Sequence, residues 1–233
     1  MAMPQATARD ATAHGALPFR TILFDLDGTL TDPKEGITRC MQYALEKLGR
    51  NAPTTEELMP YIGPPLQITF AQLLETNDAD LVAQTIAGYR ERFATVGMFE
   101  NAVYPGTEAM LAALRAAGLG VILATSKPRV FAVKILEHFN LARYFDAIFG
   151  SELDGRLSDK GELIAEILRV QQLDPDATLM VGDRMHDIIG GQRAGVRTAA
   201  VAYGYGSRAE LEACAPDFIF ASPAALADAL TGA

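Results

Sequence analysis

Cysteine is nearly absent: the 233 residues hold only Cys40 and Cys214. Two thiols cannot make the disulfide framework of a small secreted domain, and their scarcity fits a reducing, cytoplasmic setting. Basic residues are also in deficit. Lys and Arg number 20 against 29 Asp and Glu, giving a net charge of −9 and a pI near 4.8. That balance lacks the basic footprint of a nucleic-acid binder. No apolar run approaches the roughly 20 residues that span a bilayer, which argues against a membrane protein. The opening stretch also lacks the apolar block, about 7–15 residues long, of a secretory signal. Ala- and Thr-rich without periodicity, residues 1–18 are expected to form a disordered tail. What the chain has in quantity is core material. Hydrophobic residues make up 49%, in a length that allows one large α/β domain or a core with a smaller insert.

The stretch around which the rest is organised is Thr21–Thr31, TILFDLDGTLT. Ile22, Leu23 and Phe24 read as a buried strand, and Gly28 breaks it. Asp25 and Asp27 stand at its end, where unpaired buried charge is expensive. Residues two apart on a strand face the same way, so both carboxylates can serve one site. A divalent cation is a sufficient reason for them, because hard oxygen ligands hold Mg²⁺, which also takes substrate phosphate. A solvated acidic turn explains a lone Asp-x-Asp equally well.

Downstream, apolar strands and amphipathic helices alternate, which predicts a doubly wound parallel sheet with its ligand site outside the strands' carboxyl ends. Strands are expected at Gly120–Ala124, Ala147–Gly150, Ala177–Val181, Thr198–Ala202 and Asp217–Phe220. Between the first strand and Ala102 the pattern is helical throughout. One helix is expected to start with Asp32 as cap, Pro33 in the first position and Glu35 as the capping-box acid. Others follow near Thr55–Met59, Leu66–Glu75 and Ala79–Val96, with a rigid Gly63-Pro64-Pro65 turn between two of them. The expected organisation is therefore a core of residues 19–33 and 103–233, interrupted by a helical cap of residues 34–102.

Three more stretches carry chemistry at strand ends. Thr125-Ser126-Lys127 follows the second strand, where a hydroxyl before a helix N-terminus suits a phosphate. Thr and Ser also cap many helices, so alone this signal is weak. Lys160 stands at the start of the helix Glu162–Val170, where a lysine opposes the helix dipole; Lys134 is the weaker competitor. Gly182-Asp183-Arg184-Met185-His186-Asp187 follows the fourth strand. Its two aspartates lie one helical turn apart and can face one metal.

DLDGT after an apolar strand resembles the first motif of the haloacid dehalogenase superfamily. The Thr125, Lys160 and Gly-Asp-x-x-x-Asp stretches resemble its second, third and fourth motifs in order. The resemblance covers Phe19–Ala233 and implies a Mg²⁺-dependent phosphomonoester hydrolase acting on a small phosphorylated metabolite. In that scheme Asp25 attacks phosphorus to give an aspartyl-phosphate, and Asp27 first protonates the leaving oxygen and then activates water. Asp25, Leu26, Asp27, Thr125, Ser126 and Lys160 surround the phosphoryl group. Asp25, Asp27, Asp183 and Asp187 provide the metal site, Asp27 through its backbone carbonyl and Asp187 through water or from behind the direct ligands. Within the superfamily, Asp27 argues against dehalogenase and phosphonate-hydrolase chemistry. The Gly-Pro-Pro turn, Tyr89-Arg90 and the Gly-Asp-Arg-x-His-Asp form resemble the phosphoglycolate phosphatase and 5′-nucleotidase-like branch. A sugar phosphomutase, or an idle phosphate-binding regulatory module, remains the alternative. Arg39, Tyr43 and Arg90 are expected to touch substrate, and His186 to be a structural or rim residue. The expected assembly is a monomer or a weak homo-oligomer.

Overall fold

The computed structural model describes residues 16–232. The tail expectation falls mainly on residues 1–15, which lie outside that range; the described Leu17 is docked, its N–H donating to Ala229 O at 3.0 Å.

Strand β1 (Thr21–Phe24) is followed by β2 (Thr31–Asp32), then the helices α1 (Lys34–Lys47), α2 (Thr55–Leu58), α3 (Leu66–Leu73) and α4 (Ala79–Phe93). The chain returns through β3 (Ala102–Val103) and α5 (Thr107–Ala116) to β4 (Gly120–Pro128), α6 (Arg129–His138) and β5 (Ala147–Ser151). It continues with α7 (Lys160–Gln171), β6 (Thr178–Gly182), α8 (Met185–Arg193), β7 (Arg197–Val201), α9 (Arg208–Ala213), β8 (Phe218–Phe220) and α10 (Pro223–Thr231).

Six strands form one parallel sheet in the order β5-β4-β1-β6-β7-β8. Counted within that sheet alone, the order is 3-2-1-4-5-6, the doubly wound arrangement. The direction in which successive strands are added reverses between the parallel neighbours β1 and β6, so the crevice at their carboxyl ends is the natural ligand site. Both faces of the sheet are apolar because both are covered. Ile22 and Phe24 pack with α5, α6 and α10, while Leu23 faces Leu163, Ile164 and Ile167 of α7. No helix among the described residues is long and apolar enough to cross a membrane.

The four helices α1–α4 form an insert between β2 and β3, and those two short strands pair antiparallel where the chain leaves and re-enters the core. Two-residue strands carry no readable periodicity, so the sequence offers no sign of them. Helix α1 starts differently from the expectation. Pro33 is the residue before the helix, and Asp32 Oδ1 accepts the Lys34 N–H at 3.1 Å, while Glu35 pairs with Arg39 instead of closing a capping box. The capping box belongs to α2, formed by Thr54 and Glu57. Strand β4 also runs further than expected. Ser151 Oγ donates to Ser126 O at 2.7 Å and the pairing with β5 resumes at Pro128, so the strand carries Thr125–Pro128 and α6 begins only at Arg129. Thr125 is therefore not directly before a helix N-terminus. Helix α9 has no counterpart in the sequence reading, although Ser207 capping Glu210 N is the Ser-x-x-Glu signal that announces it.

Candidate active site

The charged cluster is built from strand ends. Asp25 follows β1, and its N–H donates to Val181 O of β6 at 2.9 Å, so the tips of the two strands are stitched together. Asp183 follows β6 directly, and Asp187 lies in the first turn of α8. Carboxylate oxygens of Asp25, Asp183 and Asp187 all lie within 4.8 Å of one another, and all three residues are buried. Two glycines make this approach possible. A Cβ on Gly28, where φ is +81°, would stand 2.1 Å from Asp183 Oδ2, and one on Gly182 would stand 2.1 Å from Asp187 Cγ. Only glycine fits either place.

Lys160, at the first position of α7, is inserted between two of these carboxylates. Its Nζ lies 3.0 Å from Asp25 Oδ1 and 2.8 Å from Asp187 Oδ1, and it donates to Ala124 O at 2.8 Å. Asp159 caps the helix by accepting the Glu162 N–H, leaving Lys160 to point inward. Burial works against the Lys160 charge, but Asp187 and Asp25 outweigh it and hold the ammonium protonated more firmly than usual. Lys134, the competitor, is exposed on α6.

One ammonium does not neutralise three buried carboxylates. Burial, then the charges of Asp187 and Asp25, push Asp183 well above the ordinary carboxylate range. Asp187 is pushed up to about 6 by burial and by Asp25, against the pull of Lys160. Asp183 is held by the Tyr205 N–H at 2.7 Å and the Thr29 hydroxyl at 3.4 Å. Asp187 Oδ2 accepts the Arg184 N–H at 3.1 Å. Asp25 Oδ1 and Asp187 Oδ1 are buried with the Lys160 ammonium as their near neighbour and no other donor. Three buried carboxylates whose oxygens converge, with one ammonium to offset them, fit a hard divalent cation, which would reverse the upward pressure on these groups.

Asp27 stands to one side of this trio with its own cation. Lys127 Nζ lies 2.6 Å from Asp27 Oδ2, and the lysine side chain is only 6% exposed. Its other flank rests on the Phe93 ring of α4, 4.6 Å from the centroid. Phe93 in turn stacks on Tyr89 at 5.3 Å and meets Phe131 edge-on. Burial raises the Asp27 pKa and Lys127 opposes that rise, while Asp27 Oδ1 remains buried and unpartnered.

Thr125 is buried within β4, its hydroxyl accepting the Lys127 N–H at 3.2 Å. Ser126 donates to Ser158 O at 3.3 Å, and Leu26 lies fully buried between the two leading aspartates. Asp27, Ser126 and Lys127 form the core wall of a cavity of about 100 Å³. Its opposite wall comes from the insert: Met41, Tyr89, Arg90, Phe93 and the Gly63–Gln67 turn. Arg184 spans the two parts, donating to Ile62 O at 2.5 Å and to Glu210 at 2.9 Å.

Of the three insert residues expected at substrate, only Arg90 lines the cavity. Arg39 pairs with Glu35 and Glu100, and Tyr43 donates to Glu91, both away from it. Their spacing gave the warning: Ile37, Met41 and Ala44 form the buried face of α1, and positions 39 and 43 fall off it. His186 is exposed beside Asp187. Sequence reading missed Lys127 as the partner of Asp27 and missed the Tyr203–Gly206 loop that fixes Asp183. The first followed a recognised hydroxyl; the second acts through a backbone N–H, which leaves no side-chain signal.

Comparison with known proteins agrees with this geometry. A 5′-nucleotidase of Pseudomonas aeruginosa is 47% identical over 215 residues, spanning 92% of this chain and 97% of the relative. A tyrosine-protein kinase of Mycobacterium tuberculosis is 35% identical over 85% of this chain and 67% of its own length. Among solved structures, a predicted phosphatase of Clostridium acetobutylicum superposes with a TM-score of 0.88 at 40% identity, over 92% of this chain and 99% of that one. The family described as haloacid dehalogenase-like hydrolase matches residues 22–201, and the chain belongs to it.

Proposed function

We propose that the protein is a Mg²⁺-dependent phosphomonoester hydrolase acting on a small phosphorylated metabolite, phosphoglycolate-like or a nucleoside 5′-monophosphate, through an aspartyl-phosphate. The observation that carries the reading is the division of charge at the strand ends. One carboxylate, Asp25, is held beside Lys160 among the clustered acids, and a second, Asp27, is kept apart with its own lysine. Attack and proton transfer need two such groups in different environments.

In this reading Asp25 attacks phosphorus in line and the leaving oxygen departs on the opposite side. Asp27 donates a proton to that oxygen, a task its raised pKa suits, and in the second half takes a proton from the water that hydrolyses the intermediate. Lys127 holds the Asp27 carboxylate in place. Lys160, Thr125, Ser126 and the backbone N–H groups about Leu26 hold the phosphoryl oxygens as charge develops on them. Asp25, Asp183, Asp187 and the Asp27 carbonyl would hold Mg²⁺, which when bound supplies neutralisation of the phosphoryl charge. Helices α1–α4 act as a cap, residues 34–102, on a core of residues 19–33 and 103–233. The cavity between insert and core, and the Arg184 bridge across it, support a lid that excludes water during transfer. The name of the Pseudomonas relative supports a nucleotide among the candidate substrates.

The test is phosphate release from a panel of phosphomonoesters, with Mg²⁺ and with chelator, for wild type and Asp25→Asn. Metal-dependent release that disappears in the variant is the expected result. A folded wild-type protein that releases phosphate from none of them, with Mg²⁺ present, removes the proposal.

A further inference from the structure

The inner cavity, about 100 Å³, is smaller than the roughly 300–1,000 Å³ of a pocket for a drug-sized molecule. It has room for what lies next to a phosphoryl group, and little more. Beyond it lies a groove of about 710 Å³ between α3 and α4, open to solvent. Two residues, Gln67 and Arg90, line both spaces and so stand at the neck between them.

Arg90 is held across that neck. Its guanidinium donates to Leu153 O, in the loop after β5, at 3.1 Å, which ties insert to core. Its Nε–H, however, is buried and without a partner. A buried charged donor left unpaired is unfavourable, and the group that satisfies it must come from outside the chain. The groove beyond has apolar walls from Val82, Ile86 and Leu153 and amide groups from Gln67 and Asn77. That mixture accepts the flat face of a ring and reads its polar edge.

We infer that Arg90 is a specificity-determining residue: it donates to an oxygen of the leaving group in the neck, and the α3–α4 groove receives the remainder. The leaving group that matches the two spaces is a nucleoside, with an oxygen-bearing sugar at the neck and a planar base beyond it. The inference rests on the phosphomonoesterase reading and selects among its substrates.

The experiment measures kcat and KM for a nucleoside 5′-monophosphate and for phosphoglycolate, in the full-length, Mg²⁺-loaded protein. Wild type is expected to favour the nucleotide. Ala83→Trp places a large ring in the groove from an exposed position of α4, and Ala87→Trp does so one turn further on. Each is expected to lower the nucleotide-to-phosphoglycolate ratio of kcat/KM at least tenfold, through nucleotide KM. Arg90→Met should lower the same ratio at least tenfold, and Arg90→Lys should regain only part of it, because an ammonium cannot supply the Nε–H. A ratio unchanged within twofold in both tryptophan variants, or in Arg90→Met, overturns the inference while leaving the hydrolase reading intact. A wild-type preference for phosphoglycolate overturns it as well. Absence of turnover on both substrates in wild type sinks the hydrolase reading and this inference together.

Discussion

The strand-end cluster and the helical insert handle charge in opposite ways. At the ends of β1 and β6, Asp25, Asp183, Asp187 and Lys160 are buried, and Lys160 pairs with both Asp25 and Asp187. On the insert, pairs such as Arg39 with Glu35 and Lys47 with Glu91 are exposed. The exposed pairs have water as an alternative partner and contribute little. The buried ones have no alternative, so removing one member leaves the other stranded in low dielectric. The lesson is that chemistry is concentrated where the sheet supports charge that water would otherwise screen. The insert contributes shape, aromatic surface and a few long side chains reaching over the cavity. Lys127 belongs to both regions, because its charge is set against Asp27 of the core and its stem against Phe93 of the insert.

The sharpest way to test the difference is at Asp25, the proposed nucleophile. Asp25→Asn is expected to lower kcat by about 10³-fold or more with the fold retained. Phosphate release together with circular dichroism checks it, and a residual rate within tenfold of wild type would assign the attack to another group. Next comes Lys160→Met, which strands Asp25 and Asp187. A loss of about 3–5 kcal/mol in urea unfolding is expected without metal. An unchanged midpoint would mean that the cluster is not under the electrostatic load described here.

Metal addition is the third test. An ion bound only by the folded state at 100 times its dissociation constant adds about 2.7 kcal/mol. Mg²⁺ should therefore raise the melting temperature of wild type, and Asp183→Asn should remove the rise. A rise of equal size in the variant would place the ion elsewhere. Phe93→Leu keeps an apolar contact but removes the ring from the Lys127 ammonium, an effect of about 0.5–2 kcal/mol. If the insert helps to position that lysine, kcat/KM falls by about 2–30-fold; no change would confine Phe93 to packing. The smallest effect is expected from Arg39→Ala, below about 1 kcal/mol in stability and with kcat unaltered. A tenfold fall in kcat there would return Arg39 to the list of substrate contacts and erase the contrast between the two regions.

Much of this molecule is legible in the chain of residues. Hydrophobic runs leading into Asp25 and Asp183 mark strand ends, the run into Thr125 marks a strand, and alternating elements imply a parallel sheet. A parallel sheet in turn brings carboxyl ends together on one side. The helical insert is legible because its apolar positions repeat at helical spacing over four segments. Less legible is what depends on where the insert settles. Lys127 and Phe93 are distant in sequence, and nothing local to either announces the other. Arg39, Tyr43 and Arg90 all appear as polar residues of helices, and only packing puts Arg90 at the cavity and leaves the others outside. The extension of β4 past Thr125 follows from pairing with β5, a contact between segments that propensity does not encode.

The residue pattern by itself determined the sheet, the order of its strands' functional ends and the identity of the buried acids. It could do so because burial of apolar strands and the expense of unpaired charge act on every such sequence alike. Tertiary structure decided the pairing of Lys160 with Asp25 and Asp187, the setting of Lys127 between Asp27 and Phe93, and the fastening of Asp183 by the Tyr205 backbone. Those are matters of distance between segments remote in sequence, and an electrostatic interaction exists only once its distance is fixed.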